Sequence, residues 1–353
     1  MKSSQDDHDP HLEANAQFTL ASVRDRQGRW DDEIQFAQSA LKYYTQFGFL
    51  GQAADTATLI VRGEQGKGNT SRALNAAMEL LEVAQNADSP PRLEAAEETV
   101  GIAYFALEEY PAALAHFQEA LKLARSTKEN ESYQALHCAD LLWRLGRYGE
   151  AEEMLKSISS DGRKRLDVAA GIELAKAQMQ LSQQRFADAL LIANKASKEF
   201  AESVPNSLID LKSVSAIAQA NLGRIREAQS IAQELSALAS KVADQGEIAS
   251  VNLLQAMIHL RAKSPAQARV SAEFAFRYFS DKGMTESEWL TLSCLAEASS
   301  GLGDFASARE NAKKAIDIRN AVEHNWSSPV FRQYSARPDI RKTINRLSQL
   351  NSE

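Results

Sequence analysis

The chain has 353 residues, 44% hydrophobic and 25% charged, with a net charge of −7 spread over both signs. No long basic stripe is present, which excludes nucleic acid as the main ligand, since phosphate binding needs clustered Lys and Arg. No apolar run suits a membrane span, two cysteines make no disulfide framework, and the first twenty residues lack a signal-peptide layout, so a soluble cytoplasmic protein is expected.

Residues 1–11, with Asp6, Asp7 and Asp9, read as a flexible acidic tail. His8 and His11 lie there without a supporting fold, so no metal site is assigned. From residue 12 to 325 one anchor position returns about every forty residues, at Glu33 and then at the small residues Ala73, Ala113, Ala151, Ala189, Ala228, Ala268 and Ala308. Twelve residues before each anchor stands another compact residue: Ala21, Val61, Gly101, Ala139, Ala177, Ala216, Ala256 or Ala296. Four and seven residues after the anchors, mostly apolar residues fall on the same helical face. The pattern predicts about eight antiparallel helical hairpins, with small residues letting the paired helices approach closely. Gly28, Gly68, Gly146, Gly223 and Gly303, each five residues before an anchor, are expected to end the first helix in a left-handed conformation.

The first anchor departs from the rule. Glu33 stands where the other repeats have alanine, with Arg24 and Arg26 on the preceding helix within reach. Gly63-Glu64-Gln65-Gly66-Lys67-Gly68-Asn69-Thr70 superficially resembles a phosphate loop, but its spacing is wrong and no strand precedes it. It reads as a repeat turn.

The third repeat, Gly101 to Leu123, reads GIAYFALEEYPAALAHFQEALKL. It resembles a tetratricopeptide repeat (TPR), with Gly101, Tyr104, Tyr110, Ala113, Phe117 and Ala120 on that family's preferred residues. The period near forty is similar to that of the long-repeat members found in bacterial regulatory and signalling proteins. The resemblance implies an all-α, right-handed α-solenoid of about eight hairpins over residues 12–325, closed by a capping segment at 326–353. It also implies that the first helix of each pair lines a concave wall. Carried onto this sequence, the partner-binding positions are Phe105, Asp140, Trp143, Arg144, Gln178, Asn221, Met257, Leu260 and Arg261. Trp143 fits either an exposed aromatic anchor or a core residue. The Lys and Asn of chaperone-tail clamps are replaced by Leu136 and Asp140, or by Leu174 and Gln178, which argues against that ligand.

Residues 157–166 interrupt the periodicity and read as a bend, a docking loop or a simple linker. His137, Cys138 and Asp140 hold the residue types of a thiol site, but neighbours on a helix point about 100° apart, and a structural role is expected. Beyond residue 325 Trp326, Phe331 and Tyr334 are expected to cover the last hairpin, and Pro338 to start a final helix reaching about Leu350. The basic residues Lys313, Lys314, Arg319, Arg332, Arg337, Arg341, Lys342 and Arg346 make this end either a docking surface for an acidic partner or a solvated cap.

No catalytic, metal or cofactor constellation is assigned. The expected function is a non-enzymatic protein- or peptide-binding scaffold or adaptor using the concave groove, with no membrane or nucleic-acid partner and with homo-oligomerisation compatible. The alternative is an effector-sensing module, for a small molecule or short peptide, of a bacterial signalling or transcription-control system.

Overall fold

The computed structural model describes residues 9–87, 89–200, 203–242 and 245–352. Among them there is no strand. Positions 1–8 of the expected tail lie outside the described residues, and helix α1 (Pro10–Arg26) already begins at Pro10, capped by the Asp9 carboxylate accepting from the His11 N–H at 2.9 Å. The chain divides into two compact units, Met1–Gln134 and Ala135–Glu353.

The first unit holds three hairpins: α1 with α2 (Trp30–Gln46), α3 (Leu50–Gly66) with α4 (Thr70–Asn86), and α5 (Pro90–Ala106) with α6 (Tyr110–Thr127). The unit boundary falls inside α7 (Glu131–Arg144), whose hairpin partner is α8 (Tyr148–Ser157). The second unit continues with α9 (Leu166–Ser182) and α10 (Phe186–Phe200), α11 (Pro205–Asn221) and α12 (Ile225–Val242), α13 (Gln245–Arg261) and α14 (Pro265–Lys282), and α15 (Thr285–Gly301) and α16 (Phe305–Asn325). Two further helices, α17 (Ser328–Ser335) and α18 (Pro338–Ser352), follow. Within the first unit α1 touches α3 and α3 touches α5. Within the second unit α9, α11, α13 and α15 touch in succession, so the first helices form a continuous wall.

The repeat frame explains why the helices pair. All eight anchors and all eight residues twelve positions earlier are buried. Where one side is glycine the other enlarges: a Cβ on Gly101 would lie 3.1 Å from the Phe117 ring, four residues past its anchor. The eight hairpin turns share one bond, in which the N–H four residues before the anchor donates to the carbonyl five residues back at 2.8–3.0 Å. This satisfies carbonyls that the ending helix leaves open. The preceding residue is left-handed in every turn. It is glycine at the five predicted positions and Glu108, Gln184 or Lys263 in the other three. Gly63 to Thr70 accordingly spans the end of α3, a turn and the start of α4.

One expectation needs correction. Arg24 does not serve Glu33; it lies 3.6 Å from Asp32 and donates to Gln27 at 2.7 Å. Glu33 is fully buried, and neither carboxylate oxygen has a hydrogen-bond partner among the described residues. Burial first, and the Asp25 charge second, raise its pKa to about 7, against the opposing pull of Arg62. The interruption after the shortened α8 is closed on itself: Arg163 donates to the carbonyls of Leu155 and Ile158, capping the helix end, and a single 3-10 turn at 162–164 follows.

Candidate functional site

The site grows from the last turn of α7. Asp140 and Trp143 are three residues apart and Asp140 and Arg144 four apart, so one carboxylate faces both side chains along the helix. Its Oδ1 accepts from the indole Nε1 at 2.8 Å, and its Oδ2 accepts from the Arg144 Nε at 3.0 Å. Trp143 is only 5% exposed. The Arg144 guanidinium lies 4.8 Å from its ring centroid and that of Arg337 lies 5.4 Å away. Trp143 is therefore not an open anchor: its polar edge and its face are both engaged by the protein.

Arg337 comes from the turn between α17 and α18. The C-terminal segment does more than cover the last hairpin: α18 touches α15 and α16 and also reaches α9. Arg337 donates from Nη1 to the Arg144 carbonyl at 2.7 Å and from Nη2 to Asp339 Oδ2 at 2.7 Å, with Glu286 at 3.7 Å. It also sits 5.4 Å from the Tyr334 ring, an arrangement that favours a desolvated cation. Burial works to lower its pKa, but the Asp339 and Glu286 carboxylates outweigh it, and the guanidinium stays charged. Gln184 donates to the Pro338 carbonyl at 2.8 Å. At Gly146 a Cβ would lie 2.5 Å from the Gln333 carbonyl oxygen, so this turn of the fourth hairpin needs glycine for contact as well as for its φ of +80°.

The wall and tail enclose a cavity of about 310 Å³. First helices of four consecutive hairpins line it: Trp143 from α7, Gln178 and Leu181 from α9, Asp210, Val214, Ile217 and Asn221 from α11, and Met257 and Arg261 from α13. Arg337, Asp339, Lys342 and Thr343 form the remaining side. Of the nine positions inferred from the sequence, Trp143, Gln178, Asn221, Met257 and Arg261 thus share one cavity. Leu260 lines a smaller adjoining recess, with Asn221, Met257 and Arg261 as common walls. Asp140 and Arg144 act behind Trp143. Phe105 lies in the first unit, its ring 5.9 Å from that of Tyr110.

Sequence reasoning missed Asp210 and the inward role of the tail. Asp210 sits about three turns earlier on α11 than the carried-over Asn221. Its pKa is raised by the surrounding protein first and by Asp140, while Arg144 opposes the shift. The tail's Arg337-Pro338-Asp339 was visible as a break in the repeat, but no periodicity shows where such a segment turns.

Residues 99–127, the end of α5 through α6, match the family described as tetratricopeptide repeat. The Rap conjugation gene regulator of the plasmid pLS20, solved in complex with the Phr* peptide, aligns with a TM-score of 0.61 at 13% identity, over 89% of this chain and 96% of that one. The fold is that of a tetratricopeptide-repeat solenoid. The apo form of the quorum sensor NprR from B. thuringiensis aligns with a TM-score of 0.60 at 14% identity, over 89% of each chain. A Rap protein complexed with competence and sporulation factor gives 0.57 at 12% identity, over 96% of this chain and 99% of that one. A comparison with curated protein sequences finds no match. No described helix is long and apolar enough to cross a membrane.

Proposed function

We propose that the chain is a non-catalytic recognition module that holds a peptide, or an extended segment of a partner protein, in the cavity of its second unit. One observation carries this reading: side chains from the first helices of four consecutive hairpins converge on one cavity with an apolar floor and separated polar groups. Val214, Ile217 and Met257 offer apolar area, while the Gln178 and Asn221 amides can each donate to and accept from a peptide backbone. Asn221 already accepts from the Arg261 Nε at 3.1 Å, which fixes both groups at the rim. The charged groups behind the cavity are engaged in structural pairs, Asp140 with Arg144 and Asp339 with Arg337, a use that suits positioning better than proton transfer. Similarity to regulators solved with bound factors supports the same reading. A cytoplasmic site of action fits the two buried cysteines, Cys138 and Cys294, the thiol of the latter pushed up to about 12 by burial.

The test is affinity capture from native lysate with wild type and an Asn221→Ala, Arg261→Ala double variant. The expected outcome is a partner retained by wild type and lost by the variant at unchanged helicity. Equal retention would move binding to another surface.

A second reading, effector sensing, is favoured by Lys342 and Thr343, which make the C-terminal segment part of the cavity wall. An occupant then contacts both wall and tail, and any difference in affinity between docked and released tail shifts their populations. Hydrogen exchange in α18 that is unchanged by a bound ligand would remove this reading.

A further inference from the structure

The cavity opens onto a wider, polar recess of about 720 Å³ between the hairpin wall and α18. The two share Gln184, Arg261, Lys342 and Thr343, so a ligand on the apolar floor extends into the recess. The charges there are lopsided: Arg261, Arg341, Lys342 and Arg346 stand against Glu297 alone. This concentration occurs in a chain whose net charge is −7. Arg341 and Lys342 are consecutive on α18 and exposed, and no ion pair to either is formed among the described residues within the second unit. Arg261 donates its Nε to Asn221, a bond that does not use its terminal nitrogens.

From this juxtaposition we infer that the site selects an acidic peptide, one with apolar side chains for the floor and Asp or Glu side chains for the recess. The inference rests on the peptide-binding reading and adds the ligand's charge. An acidic ligand approaching a net-negative protein is repelled at long range, so a local cationic mouth is what draws it to this face. A polyanion such as nucleic acid fits less well, because the cations lead to an apolar floor instead of tracking a backbone.

The probes are fluorescein-labelled octapeptides of alternating Leu and Glu, Leu and Gln, or Leu and Lys, all C-terminally amidated, together with a short oligothymidylate. Anisotropy titrations are made with wild type and with an Arg341→Gln, Lys342→Gln double variant. The Glu peptide should bind about tenfold more tightly than the Gln peptide at low ionic strength, as a few partly exposed ion pairs allow. That gap should narrow in high salt and collapse in the double variant, whose circular dichroism should match wild type. Equal binding of Glu and Gln peptides, or preference for the Lys peptide, overturns acidic selection while peptide recognition stands. Tighter binding of the oligothymidylate overturns it in favour of a phosphate ligand. Failure of every peptide to bind overturns both this inference and the reading beneath it. If the double variant is misfolded, Lys342→Gln and the salt dependence of wild type decide the same question.

Discussion

The two units each bury a charge, and they treat it in opposite ways. In the first, Glu33 stands at an anchor position made for alanine, fully enclosed and without a hydrogen bond among the described residues. In the second, Arg337 is also buried, but a backbone carbonyl, two carboxylates and two aromatic rings surround it. The helix pairs around both follow the same small-residue rule. What differs is whether anything was built to receive the charge. A buried ion without partners weakens the fold or gives up its charge, whereas a buried ion with partners ties together the elements that supply them.

The comparison is tested most severely at Arg337. Replacing it by Met leaves Asp339 and Glu286 without their shared cation, and chemical denaturation of the second unit should show a loss of about 3–5 kcal/mol. A loss below one would mean that the surrounding groups find other partners easily. The shared packing rule is tested by enlarging an anchor in each unit. Ala113→Leu and Ala228→Leu, both at fully buried positions, should each destabilise by about 1–3 kcal/mol through overpacking. Unequal effects would show that the two stacks differ in more than their buried charges.

Glu33→Gln should act in the other direction. The native carboxyl has a pKa near 7, above the ordinary 4.5, so the folded state holds the proton more firmly than the unfolded chain. Its stability is therefore full below about pH 4.5 and falls as the pH rises towards 7. Gln does not titrate, and the variant should gain about 1–2 kcal/mol over wild type at pH 8 while matching it at pH 4. Thermal melts across that range check it; a constant difference would show that charge is not the cause. The smallest effect is expected at Lys263→Gly, which relieves a left-handed lysine at φ 56° and should stabilise by about 0.5 kcal/mol, visible as a small rise in Tm.

The repeat was legible because its cause is local. Close helix approach needs compact residues at Ala139 and Ala151 alike, and the left-handed turn needs its glycine at Gly146, so one physical demand recurs at each period. The five cavity residues foreseen along α7, α9, α11 and α13 follow from the same register. The chirality of the three non-glycine turns was hidden, because Glu108, Gln184 and Lys263 carry no residue-type signal for a positive φ. The fate of Trp143 was hidden for another reason. Its surroundings depend on Arg337, which sequence distance separates from it and no periodicity connects. Likewise, the charge of Glu33 could be seen at once, but that no hydrogen bond reaches it among the described residues depended on Arg24 turning towards Asp32.

The Arg337 clamp also changes how the second unit should come apart. In an array of stacked hairpins each repeat contacts its neighbours, so such arrays fray from their ends one repeat at a time. Here the guanidinium bonds a carbonyl 193 residues earlier in the chain, joining the tail to the fourth hairpin. An end fastened to the middle cannot peel away on its own. The hairpins between Arg144 and Arg337 are thereby made to melt together, and closing so long a loop makes the clamp one of the last contacts to form during refolding.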